Sequence, residues 1–183
     1  MSRFLNERYR AMEAYTPGEQ PRDMQYIKLN TNESPYPPAP SVVAAMNGEQ
    51  VELLRLYSDP TAKNLKEKLA GLYGVKPENI FVSNGSDEVL NFAFMAFGGR
   101  GVAFPDISYG FYSVFAELHG IPAEIIPLEE DFTLNYRKYC GKNKLVVIAN
   151  PNAPTGMTVP LHQIEQILRT NPDSLVVIDE AYV

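Results

Sequence analysis

From Gly74 onward one pattern repeats: a short apolar run, a stretch of helical periodicity, then another apolar run. The runs are Asn79 to Ser83, Gly101 to Phe104, Ala123 to Pro127, Leu145 to Ala149 and Ser174 to Ile178. Apolar residues at helical spacing fill Ser86 to Phe97, Tyr109 to His119 and Leu161 to Leu168 between most of them. A strand such as Leu145-Val146-Val147-Ile148 is apolar at consecutive positions, so both of its faces must be covered. The alternation therefore predicts an α/β fold, a mainly parallel sheet in a three-layer α/β/α arrangement.

Upstream the character differs. Prolines crowd Thr16 to Pro40 without a long periodic pattern, which reads as an irregular or extended arm. Leu65, Leu69, Leu72 and Tyr73 then recur at helical spacing among Lys63, Lys66, Glu67 and Lys68, and Gly74 stops that helix. At 183 residues, 45% hydrophobic and 21% charged, the chain can bury a core. Sixteen Lys+Arg against 22 Asp+Glu give a net charge of −6, so nucleic acid is not an expected partner. No run of about 18 apolar residues exists, which argues against a membrane span. The opening Met1 to Tyr15 lacks the apolar centre of a signal peptide, and Cys140 is the only cysteine, so the cytoplasm is expected. His119 and His162 have no metal-ligand spacing to another His or Cys, and no metal is expected.

In open α/β sheets ligands bind beyond the carboxyl ends of the strands, and three such ends carry polar groups. Ser83-Asn84-Gly85-Ser86-Asp87-Glu88 passes through Gly85 into a helix with the apolar face Val89, Leu90, Phe94 and Phe97. Gly85 permits a tight turn, and the N–H groups of the first helical turn suit a phosphate, while the plainer reading of the same residues is that Ser86 or Asp87 caps the helix. Asn150-Pro151-Asn152-Ala153-Pro154-Thr155-Gly156 is a shaped loop whose asparagines either donate to a ligand or close an Asx turn. Leu175-Val176-Val177-Ile178-Asp179-Glu180 reads as a buried strand ending in acids, where a carboxylate calls for a cation or a strong donor. A magnesium-binding NTPase is excluded, because Gly141-Lys142 has Tyr136 at the first glycine position and Asn143 at the hydroxyl position. The other cation that fits is a protonated pyridine nitrogen.

These stretches, with Tyr15-Thr16-Pro17-Gly18, Leu29 to Pro35, Tyr57-Ser58-Asp59-Pro60, Ser108-Tyr109-Gly110 and Asp179-Glu180-Ala181-Tyr182, occur in the order found in one family. The chain resembles histidinol-phosphate aminotransferases, homodimeric enzymes of the fold-type-I class that use pyridoxal 5'-phosphate. The resemblance implies a phosphate cradle at Gly85, Ser86 and Asp87, with Tyr109 stacked on the cofactor ring. It implies Asp179 at the pyridine nitrogen, with Tyr182 and an asparagine of the loop, assigned as Asn152, at the 3-hydroxyl oxygen. Tyr57 would reach the phosphate of the neighbouring subunit's cofactor, and Tyr15 and Asn32 would face substrate. Residues 1–50 become the arm and the start of a small domain, and 51–183 an incomplete cofactor-binding large domain.

Two departures accompany the resemblance. Many relatives read Asn-Asn-Pro-Thr-Gly where this chain has Asn152-Ala153-Pro154-Thr155-Gly156. The family's Schiff-base lysine and anion-binding arginines belong beyond Val183, so the chain by itself is expected to be inactive. The implied reaction is ping-pong transfer of an amino group between a small-molecule donor and a 2-oxo acid, histidinol phosphate and 2-oxoglutarate, in histidine biosynthesis, with Asp179 and Tyr182 in the catalytic set. The alternatives are an aromatic or other amino-acid aminotransferase, a phospho-amino-acid decarboxylase of the same fold, or a non-catalytic fragment needing a partner chain.

Overall fold

The computed structural model describes residues 5, 6, 9, 10, 12, 19, 27, 29–46 and 49–182. Tyr15 and the rest of its motif through Gly18 lie outside them. The chain divides into two compact units, Glu13–Val82 and Met1–Met12 with Ser83–Val183.

In the unit Glu13–Val82, α1 (Pro40–Ala45) starts on a proline, whose missing N–H would have had no helical acceptor. After α2 (Glu49–Leu53), the carboxylate of Asp59 accepts from the backbone N–H groups of Thr61 (2.9 Å) and Lys63 (2.8 Å) and so fixes the start of α3 (Lys63–Tyr73). Gly74, at φ +66°, ends α3 where the sequence expects it. The expected strand at Asn79 to Ser83 does not form. Pro77–Asn79 is a 3-10 turn, and none of the sheet's three strand pairings includes the residues after it. Apolar residues such as Ile80, Phe81 and Val82 favour an extended chain, but only a neighbouring ladder makes a strand.

The unit containing Ser83–Val183 is built on four parallel strands: β1 (Val102–Pro105), β2 (Ala123–Ile126), β3 (Leu145–Ala149) and β4 (Val176–Asp179), ordered β2-β1-β3-β4. Three longer helices accompany them: α4 (Ser86–Phe97), α5 (Phe111–His119) and α6 (Leu161–Thr170). Alternate residues of the central strands feed two separate cores. Val102, Phe104, Leu145, Val147 and Ala149 pack with Leu90 and Phe94 of α4 and Tyr112, Phe115 and Ala116 of α5. Ala103, Val146 and Ile148 pack on the opposite face with Ile164 and Ile167 of α6 and with Tyr139. The three-layer α/β/α expectation therefore holds, with helices on both faces of an all-parallel sheet.

Two details differ from the sequence reading. On α4, Leu90 and Phe94 are buried in the core cluster on the sheet, whereas Val89 and Phe97 lie outside that cluster and stay exposed. On β4 every residue is only half-buried, since this strand has a neighbour on one side alone among the described residues. No helix of the described residues is long and apolar enough to cross a membrane.

Candidate functional site

The strand order sets the position of the site. From β1 the chain crosses to β2 on one side, then returns past β1 to place β3 and β4 on the other, so adjacent crossovers part between β1 and β3. A crevice opens beyond the carboxyl ends of strands at such a reversal. Here a cleft of about 120 Å³ is lined by Ala149 at the end of β3, Pro151 and Ala153 of the following loop, Asp179, Ala181 and Tyr182 at and after β4, Tyr109 before α5, and Ser86 at the start of α4.

Gly85 precedes α4 with φ +86° and ψ 166°, a conformation in which an L side chain is strained. No atom lies within 4 Å of where its Cβ would be, so the requirement for glycine is conformational and not one of space. Neither Ser86 nor Asp87 takes the capping position, and Gly85 has no side chain with which to do so. Instead Glu88 reaches back to the Ser83 hydroxyl and to the Asn84 N–H (3.0 Å), and these bonds hold its carboxyl below the usual glutamate range. Asp87 accepts from the Tyr109 hydroxyl at 2.8 Å, which ties the ring of Tyr109 to the first turn of α4. The helix thus presents its N-terminal turn, with its positive dipole end, beside the cleft at Ser86.

Across the cleft stands Asp179. Its Oδ1 accepts from the Ala181 N–H at 3.2 Å and its Oδ2 from the Tyr112 hydroxyl at 2.8 Å. Tyr112 is fully buried, its ring 6.5 Å from Phe94, 5.9 Å from Phe104 and edge-on to Tyr109 at 5.7 Å. Burial, followed by the neighbouring Asp179 carboxylate, pushes its phenol well above the usual tyrosine value, so it stays a proton donor. Sequence reading missed Tyr112. Its only signal was a Tyr-x-x-Tyr spacing with Tyr109, which says nothing about Asp179, 67 residues away.

The loop after β3 is held by its own asparagines. Both amide hydrogens of Asn152 are engaged, with the Ile107 carbonyl (2.9 Å) and the Thr155 hydroxyl (3.0 Å), while its Oδ1 accepts from Ser108 (2.8 Å). Asn150 closes a reciprocal pair with the backbone of Val159. Asn152 is buried beneath the loop, and the cleft wall there is Pro151 and Ala153. Of the residues expected at the site, Gly85, Ser86, Asp87, Tyr109, Asp179 and Tyr182 gather at the cleft or directly against it. Tyr57 and Asn32 belong to the unit Glu13–Val82, where both are exposed. Asn32, at φ +52°, shares a shallow pocket with Leu29, Asn30 and Glu33.

The family model described as aminotransferase class I and II matches residues 24–183. Over its whole length the chain is 49% identical to the histidinol-phosphate aminotransferase of Brachyspira hyodysenteriae, covering 52% of that protein. The chain spans about half the length of the curated relatives it matches. Among solved structures, the histidinol-phosphate aminotransferase of Sinorhizobium meliloti in complex with pyridoxal-5'-phosphate superimposes with a TM-score of 0.70 at 28% identity, over 83% of this chain and 43% of that one. The L-threonine-O-3-phosphate decarboxylase of Porphyromonas gingivalis gives 0.63 at 26%, over 74% and 41% respectively.

Proposed function

The chain belongs to the aminotransferase class I and II family, and from that premise we propose that the full-length protein transfers the amino group of histidinol phosphate to 2-oxoglutarate with pyridoxal phosphate as cofactor. The observation that carries the specific reading is the 49% identity over the whole chain to a histidinol-phosphate aminotransferase. The cleft agrees chemically with that cofactor: a helix N-terminus able to receive a phosphate and a carboxylate able to meet a pyridinium line one cavity, with an aromatic ring, Tyr109, between them in the wall.

In this reading the backbone N–H groups of Ser86 and Asp87 hold the phosphate, and Gly85 supplies the turn that aims them. Tyr109, steadied by Asp87, covers one face of the ring. Asp179 keeps the proton on the ring nitrogen, and Tyr182 approaches the 3-oxygen. Asn152 holds Pro151 and Ala153 in the cleft wall, and contact with the ring oxygen requires its amide to release either Ile107 or Thr155. When bound, pyridoxal phosphate supplies the electron sink that stabilises negative charge on the substrate's α-carbon. Tyr57 of one subunit serves the phosphate of the other in a homodimer, while Tyr15 and Asn32 face substrate. Residues 1–50 act as arm and start of a small domain and 51–183 as part of the large domain, in a cytoplasmic enzyme.

A donor panel on the full-length protein tests this proposal. Histidinol phosphate with 2-oxoglutarate should exceed aromatic amino acids by about a hundredfold in kcat/KM, because a site built for a phosphate and an imidazole leaves buried polar groups unpaired with other donors. Carbon dioxide release from O-phosphothreonine without amino transfer would move the assignment to the decarboxylases. Turnover with neither would sink it.

A further inference from the structure

We propose that Tyr112 is the positioning residue for Asp179, clamping its carboxylate in the one orientation that faces the cleft. The inference rests on the reading above, in which Asp179 meets the ring nitrogen of the cofactor. Aspartate χ2 is a soft, broad torsion, so a carboxylate held through a single oxygen still rotates. Here two donors from different elements engage the two oxygens: the Tyr112 hydroxyl from α5 at Oδ2 and the Ala181 N–H from the turn after β4 at Oδ1. Position and rotation are fixed together, and the remaining acceptor directions of a group that lines the cleft stay available to a ligand.

Packing gives no reason for the hydroxyl. The aromatic rings around Tyr112 are Phe94 of α4, Phe104 of β1 and Tyr109, and a phenylalanine would fill the same space among them. Nor does burial in this unit oblige a phenol to be paired, since the equally buried Tyr139 leaves its hydroxyl without a partner among the described residues. Burial and the Asp179 carboxylate both hold the proton on the Tyr112 phenol, so it serves Asp179 as a donor. The charge of a carboxylate that accepts from the Tyr112 hydroxyl is stabilised by that bond, which favours its ion pair with a protonated ring.

The test is the full-length protein loaded with pyridoxal phosphate labelled with 15N in the ring. In the parent protein the ring nitrogen should resonate as a protonated pyridine. Tyr112→Phe should move that resonance toward the unprotonated value and weaken cofactor retention about three- to tenfold, with little change in thermal midpoint. Replacing Tyr112 by 3-fluorotyrosine, a stronger donor of nearly the same shape, should move the resonance the opposite way, and it serves where the phenylalanine variant folds poorly. A role confined to packing moves the melting temperature and not this signal. If the parent shows a protonated ring and neither replacement shifts it, the role of Tyr112 is overturned while the cofactor reading stands. If the parent ring is unprotonated, Asp179 has lost its assignment and the role of Tyr112 falls with it.

Discussion

Asp179 and Glu180 are adjacent acids with different surroundings: the first accepts two hydrogen bonds and lines the cleft, the second is exposed and does not line it. In the full-length enzyme Asp179→Asn should therefore lower kcat by about two decades, since an amide cannot hold a protonated ring as a carboxylate does, and Glu180→Gln should cost far less. Near-normal turnover in Asp179→Asn would remove this residue from the mechanism. The sequence led to the same aspartate by a different reason, burial at a strand end. Because β4 is only half-buried, the stronger argument is the pair of donors that the fold aims at its carboxylate. Gly85 makes a purely conformational prediction. With space for a methyl group but φ at +86°, Gly85→Ala should destabilise the unit by about 1–3 kcal/mol through backbone strain. An unchanged urea midpoint would show that the turn relaxes instead.

Elements hold together here through the split of each central strand between two cores. Phe94 is fully buried between α4, the sheet and the rings of Tyr112 and Phe115, so Phe94→Ala should cost about 3–5 kcal/mol in chemical denaturation. A loss below about 1 kcal/mol would mean that α4 is not anchored by this residue. At the sheet edge, Glu124 of β2 receives Lys142 and also Lys144 (2.8 Å), which join β2 to the segment leading into β3. The bonds from Lys142, then Lys144, hold its carboxyl below the ordinary value of 4.5. A carboxyl depressed on folding stabilises the folded state above its unfolded value, and that contribution disappears as pH falls from about 4.5 through the lower folded value. Glu124 is more than a third exposed, so the effect should be modest and should shrink in high salt. Melting temperature against pH should show a shallower acid limb in Glu124→Gln than in the parent, and identical limbs would mean the cluster is fully screened.

For the whole molecule the decisive prediction concerns Tyr57, which the family resemblance implies, and we propose, serves a neighbouring subunit's site. Co-expressed Tyr57→Ala and Asp179→Asn subunits of the full-length protein should recover activity on mixing. In a mixed dimer one site collects both defects and the other collects none, so random pairing restores about a quarter of the parent rate. No recovery from verified mixed dimers would place Tyr57 in its own subunit's site or in none. Much of this was legible in the chain itself. Consecutive apolar residues at Leu145 to Ala149 demanded a strand covered on both faces, helical spacing located α3 through α6 to within a few residues, and Gly85, Ser86 and Asp179 stood out as polar punctuation at apolar boundaries. These are local properties, set by periodicity and by backbone freedom, and sequence carries them directly. Strand order, the half-burial of β4 with one neighbouring strand among the described residues, the absence of a strand at Asn79 to Ser83, the engagement of Asn152 by Ile107 and Ser108 and the bond from Tyr112 to Asp179 were decided only by tertiary structure. Each depends on which partner arrives from a distant part of the chain, and hydrogen bonds and side-chain burial are satisfied by such partners rather than by neighbours in sequence.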